Sequence, residues 1–226
     1  MFEDPAIRPQ LQRPDYRNAA GERVPSVTTV IGATFAKPAL TAWANRLGMQ
    51  GMDSERYRDE RAGEGSVMHA LIHAHLRREE ADLSPFSPTA RAGGRVGFLR
   101  WRRDWLDHQV LSPIASEHSL VSERHQYGGT PDLIAGVSGR VELLDWKTSK
   151  RVYVEHLVQA AAYAAMAWEH GHQVRAVRVV AVSTEADGAM HEVVMPVEDT
   201  RPYFAAFLAA LRLYRRAKAL AEVVPA

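Results

Sequence analysis

Asp132, Asp145 and Lys147 are the residues of this chain whose types and spacing could do chemistry. In a strand successive side chains alternate faces, so Val141, Leu143, Asp145 and Lys147 share one face and Glu142, Leu144, Trp146 and Thr148 take the other. An acid and a lysine therefore point the same way. Asp-x-Lys alone is usually an exposed ion pair of about 0–1 kcal/mol. Pro131-Asp132 on the preceding strand changes that weighting. A hairpin closing around Val137 and Ser138 puts Asp132 opposite Leu143 or Leu144, diagonal to Asp145. Diagonal pairs lie roughly 7–8 Å apart at the backbone, within reach of a shared cation. Without a cation two such carboxylates repel. Hard oxygen ligands suit one or two Mg²⁺ or Mn²⁺ ions, which polarise a phosphoryl oxygen and acidify a bound water. Lys147 could position that water or stabilise a pentacovalent phosphate, and the carbonyl of Trp146 is a candidate further ligand.

Other groups stand near this set. His69 and His73 are four residues apart and face one way on a helix, as two zinc ligands would. No Glu follows His69 and no third ligand is evident, so a dedicated zinc site is not the reading, and His73 and His75 read as packing or surface residues. Gln159 and Tyr163 share the same helical spacing and can lean over one end of a sheet, or cap a hydrophobic face. Five arginines, Arg95 among them, precede the first acid between Arg91 and Arg103 and are interleaved with Phe98 and Trp101. That composition suits phosphate contact with base stacking, although it more often marks an amphipathic helix with its aromatics in the core. Arg212, Arg215, Arg216 and Lys218 read as a solvated helix face.

The elements that must position these residues follow from periodicity and punctuation. Helices are expected over Ala39 to Leu47, Gly65 to Arg78 and Arg95 to Gln109, with a loop from Ala81 to Thr89. Strands are expected over Glu117 to Gln126, Thr130 to Gly136 and Arg140 to Thr148, the last two joined by a hairpin. An alanine-rich helix from Glu155 to His170, strands over Val174 to Ser183 and Met190 to Val197, and a helix from Pro202 to Ala221 complete the order. Helices packed on a small central mixed sheet, an α/β fold, is the expected solution. Residues 1–24 read as a loosely attached arm and 25–226 as a single domain, with a helical part over 25–110 and a sheet core with C-terminal helices over 111–226.

Together these residues resemble a known family. Gly128-Gly-Thr-Pro-Asp132, Leu144-Asp-Trp-Lys-Thr-Ser149, and Gln159 with Tyr163 look like the RecB-type branch of the PD-(D/E)XK nucleases, whose core is restriction-endonuclease-like. Gly65-Ser-Val-Met-His69 matches that branch's Gly-x-x-x-His helix. Pro25-Ser-Val-Thr-Thr-Val30 and Leu40-Thr-Ala-Trp-Ala44 resemble the mitochondrial genome-maintenance exonuclease and its phage and bacterial relatives. The resemblance implies that His69, Asp132 and Asp145 hold metal and that Lys147 is catalytic. It implies that Gln159 and Tyr163, with Thr148 and Ser149 beside them, contact DNA or orient the lysine. It also implies a first-strand acid, for which Glu117 is preferred to Glu123, and a role for Lys37 and Trp43 in guiding single-stranded DNA.

Composition narrows the expectation. The 226 residues carry 28 Lys and Arg against 27 Asp and Glu, a net charge of +1, so a polyanion must be met by a local patch. No cysteine is present, which excludes disulfides, thiol catalysis and the iron-sulfur cluster of some related nucleases. No apolar run is long enough for a membrane span. The expectation is a Mg²⁺- or Mn²⁺-dependent exonuclease of the bacterial or phage-infected cytoplasm, acting on free ends of single-stranded DNA in recombination, repair or replication. A recombination or single-strand-binding protein is a candidate partner. The alternatives are a double-strand end-resecting exonuclease, a structure-specific endonuclease, or a nuclease-fold protein that only binds DNA or a recombination partner.

Overall fold

The computed structural model describes residues 15–35 and 38–223, so Lys37 lies outside the described residues, as does the side chain of Trp43. Four helices lead: α1 (Val27–Thr34), α2 (Pro38–Met49), α3 (Ser54–Arg77) and α4 (Pro88–Asp104). Five strands follow: β1 (Leu111–Ser116), β2 (Leu120–Ser122), β3 (Tyr127–Gly129), β4 (Leu133–Val137) and β5 (Arg140–Lys147). Then come α5 (Val154–Glu169), β6 (Ala176–Val182), β7 (Met190–Pro196) and α6 (Arg201–Ala221).

The main sheet runs β1-β4-β5-β6-β7, with β5 and β6 parallel and every other neighbouring pair antiparallel. The expected mixed α/β architecture is what forms. A parallel pair needs a crossover, and α5 supplies it. Strand alternation sorts β5 as expected: Leu143 packs with α1, α5 and α6, whereas Leu144 and Trp146 pack with α3 and α4. On the latter face Trp101, Trp105 and Trp146 are fully buried, with Trp146 edge-on to both partners at centroid distances of 5.5 and 5.0 Å.

Several expected boundaries move. α3 starts at Ser54, where the Asp53 carboxylate accepts the amides of Glu55 and Arg56 at 2.9 and 3.2 Å. Its first turns are charged on every side and lack the apolar stripe by which the helix was placed. α4 begins inside the expected loop: Ser87 Oγ accepts the Ala90 amide at 3.1 Å and Pro88 occupies the first turn, where its missing N–H costs no helical bond.

The expected strand from Glu117 to Gln126 shrinks to the three-residue β2, outside the main sheet. The first strand lies earlier and contains Pro113 beside a bulge, tolerated because β1 is an edge. Glu117 leaves it at a left-handed φ of 46°, and β2 and β3 form a separate small hairpin. The β4–β5 turn is Ser138-Gly139, at φ 48° and 86°, rather than Val137-Ser138.

The arm is anchored wherever it is described. Tyr16 is buried and its hydroxyl lies 2.8 Å from Thr130 Oγ1, while the Asn18 side-chain amide donates to Gln126 Oε1 at 2.6 Å. The Ala19 amide adds a third hydrogen bond, to Glu123 Oε1 at 2.8 Å, so residues 15–24 are held by one aromatic ring and three hydrogen bonds that polar composition does not reveal.

Candidate active site

The one-residue shift in the turn decides how the two acids meet. Leu133 pairs with Leu144, and continuing that register by one residue sets Asp132 across from Asp145 instead of diagonal to it. Asp132 Oδ2 accepts the Trp146 backbone N–H at 2.6 Å, and Oδ1 lies 3.2 Å from His69 Nδ1. Asp145 is 1% exposed, with Lys147 Nζ 2.6 Å from its Oδ2. The ammonium of Lys147 is the ion-pair partner of that oxygen among the described residues. The structure therefore brings together Asp132, Asp145, Lys147 and His69.

α3 reaches the strand end through Gly65. A Cβ there would stand 2.7 Å from Thr148 Oγ1, so only glycine lets the helix close on the residue after Lys147. His69, one turn later, then faces Asp132. From the other face, α5 offers Gln159 and Tyr163, whose side chains are joined by a 2.9 Å hydrogen bond from Gln159 Nε2 to the phenol oxygen. The Tyr163 ring lies where a Cβ on Gly129 would be, which is why a glycine precedes Thr130 and Asp132.

The charges are unequally compensated. Burial works against ionising Asp132, but His69, Lys147 and the Trp146 amide together hold its carboxyl below the usual range. Burial likewise opposes an imidazolium at His69, and the Asp132 carboxylate outweighs it, keeping the ring more basic than usual. Asp145 goes the other way: burial, aided by the like charge of Asp132 and only partly opposed by Lys147, pushes it up to about 6. Burial, with Asp145 nearby, raises Tyr163 well above the ordinary phenol range, so it remains a proton donor.

As placed, no three His, Asp or Glu side chains among the described residues converge into a ready ion cage. His69 and Lys147 lie against the acids instead. The donor set nevertheless fits a hard divalent cation: two carboxylates at one strand end, Asp145 buried and Asp132 half-buried.

The remaining expected residues fall differently. Glu117 touches the site through its backbone, its N–H donating to the Asp132 carbonyl at 3.0 Å. Its carboxylate lies 3.7 Å from His73 Nδ1, and that ring is also 2.9 Å from Ser116 Oγ. Glu123, the alternative, accepts the Ala19 amide at 2.8 Å and serves the β2–β3 turn. Ser149 Oγ donates to the Arg151 carbonyl at 2.8 Å, shaping the loop after β5. Arg95 is exposed on α4, and no described contact joins it to the acids. Within the same arginine-rich stretch Phe98 and Trp101 belong to the core, and buried Arg100 donates to the carbonyls of Ser183, Glu185 and Ala186. The amphipathic alternative describes this helix. Sequence reasoning misses Tyr16: no local pattern marks a residue tied to the site by a hydrogen bond to Thr130, two residues before Asp132, and by its ring against Gly128.

The mixed sheet thus presents one buried acid, one half-buried acid and a lysine at the end of its central hairpin. The model of the PD-(D/E)XK nuclease superfamily matches residues 42–226, and the chain belongs to that superfamily. No curated protein matches the chain. Among the described residues no helix is long and apolar enough to cross a membrane.

Proposed function

We propose that the protein is a divalent-metal-dependent DNA exonuclease of the RecB-type branch, with residues 25–226 as its nuclease domain, acting from free ends of single-stranded DNA in recombination, repair or replication. The observation that carries this reading is the Asp132–Asp145 pair at one strand end, Asp145 buried and Asp132 half-buried, with Lys147 and His69 against it. A chain that only bound DNA would have no physical reason to hold repelling carboxylates together at this cost.

Asp132, Asp145, the Trp146 carbonyl and His69 would hold Mg²⁺ or Mn²⁺, as one or two ions. When bound, such an ion neutralises charge at the phosphoryl oxygen and lowers the pKa of a water. Lys147 supplies the remaining positive charge at the phosphate or the attacking water. Its ammonium has Asp145 as its ion-pair partner, so engaging that carboxylate elsewhere frees it to turn toward substrate. Gln159 and Tyr163 form one hydrogen-bonded unit over the same strand end and orient the lysine or the DNA. Thr148 and Ser149 line the turn that follows, and Glu117 adds a carboxylate beside His73.

The test is degradation of end-labelled DNA with Mn²⁺ and with Mg²⁺. Linear single strands should be shortened from their ends and circular ones left intact. Cutting of circles would make the protein an endonuclease, preference for duplex ends would make it an end-resecting enzyme, and intact DNA in every arm would overturn the proposal.

A further inference from the structure

A cavity of about 860 Å³ opens between residues 15–24, the start of α1 and the last turns of α6. Its lining carries three cations, Arg23, Arg215 and Lys218, against one acid, Glu22, whose carboxylate accepts the Asn18 amide at 3.1 Å. In a chain of net charge +1 this is a concentrated positive patch. Arg215 donates one nitrogen to the carbonyls of His125 and Gln126 at 2.8 and 2.6 Å, which fixes its guanidinium at the rim with donors to spare. Lys218 is exposed and has no ion pair among the described residues, while Arg23, 74% exposed, is ion-paired to Asp15 at 2.6 Å and would exchange that carboxylate for a phosphate. Ser26 and Thr28, with side-chain oxygens 3.0 Å apart, add hydroxyls to the wall.

This cavity is joined to the catalytic end of the sheet. Tyr16 forms part of its wall and is hydrogen-bonded to Thr130. Thr130 and Asp132 are two residues apart, at most about 7 Å of chain. A stacked strand advances about 3.4 Å per nucleotide, so a strand lying on Asp132 comes within a few nucleotides of Tyr16. We propose that the cavity is a phosphate-holding subsite for the DNA strand that runs through the catalytic acids, with Lys218, Arg215 and Arg23 as its cations. The inference rests on the nuclease reading for its substrate, but its contacts are separate from the acids.

The experiment measures binding of a labelled single-stranded 20-mer by fluorescence anisotropy against salt concentration. It uses the full chain carrying Lys147→Ala, so that DNA is not consumed. Adding Lys218→Gln, or Lys218→Gln with Arg23→Gln, should reduce the slope of log K against log salt by about 0.7 per lost phosphate contact. Arg201→Gln, at the opposite end of α6 and about 25 Å away, is the control and should leave the slope unchanged. Equal slopes in all variants, or an equal fall in the control, overturn the subsite. Failure of the wild-type protein to cut any DNA would sink the nuclease reading instead, and the slopes would still report the cavity.

Discussion

Strand β5 carries two buried carboxylates three positions apart, on opposite faces of the sheet, and they are treated in opposite ways. Glu142 is 1% exposed and fully engaged: Arg140 Nε donates to Oε1 at 3.0 Å and Arg178 Nε to Oε2 at 2.7 Å. Arg178 continues to Glu192 at 2.8 Å, which also accepts the indole N–H of Trp105 at 3.1 Å. Asp145 is equally buried but faces a second acid, and Lys147 alone among the described residues forms an ion pair with it. A buried charge whose partners are complete serves the fold, since removing one partner leaves the other uncompensated. A buried charge left incomplete is costly to the fold alone, and so marks the place where something else is meant to bind.

The contrast can be broken most directly through activity. Lys147→Ala and Asp145→Asn should each lower kcat by at least about a thousandfold, roughly 4 kcal/mol of barrier, while Glu142→Gln leaves the rate per folded molecule near wild type. Single-turnover digestion normalised to native protein decides this, and a comparable loss in Glu142→Gln would erase the distinction. Stability should show the reverse order. Glu142→Ala strands two arginines at a core edge and should cost about 3–5 kcal/mol in urea unfolding.

Asp145→Asn should stabilise the metal-free protein. Because the folded-state pKa of Asp145 is raised to about 6, the native state holds its proton where the unfolded chain has lost it. Stability of the metal-free wild type therefore falls as pH rises from about 4 to about 6. The variant removes that loss, gaining about 1–3 kcal/mol at pH 7 and nothing below pH ~4. Melting curves across pH check the sign, and a wild type that gains stability over that interval would refute it. The smallest effect concerns how closely α3 is held to this end of β5. Gly65→Ala should press on Thr148 and shift His69, weakening Mn²⁺ binding about tenfold. Calorimetry should show recovery when Thr148→Ala is added.

How much of this was legible depended on whether a residue's partner was near in the chain. Asp145 and Lys147 could be placed on one face from alternation alone, and the later strands and α5 were located to within two residues. Alternation and the hairpin put Asp132 at the right strand end but one or two positions out of register. That step depends on which two residues make the turn, and Ser138-Gly139 takes positive φ at both. The start of α3 went unread because its first turns have no apolar stripe. Pro88 looked like a helix breaker when it was a helix opener. Periodicity puts Glu117 at a strand start, yet the edge strand lies earlier, over Leu111–Ser116, with a bulge beside Pro113.

The sequence by itself determined the chemistry on offer and the mixed α/β class: which acids, which lysine, and the alternation that aims Asp145 and Lys147 together. These are consequences of residue type and of periods only two to four residues long. Tertiary structure alone decided which of the two buried acids on β5 is completed. Arg178 comes from β6, His69 from α3, and Tyr16 from a segment more than a hundred residues before Thr130. No local period encodes contacts across such separations, because they exist only once the sheet and its two helical layers have closed on each other.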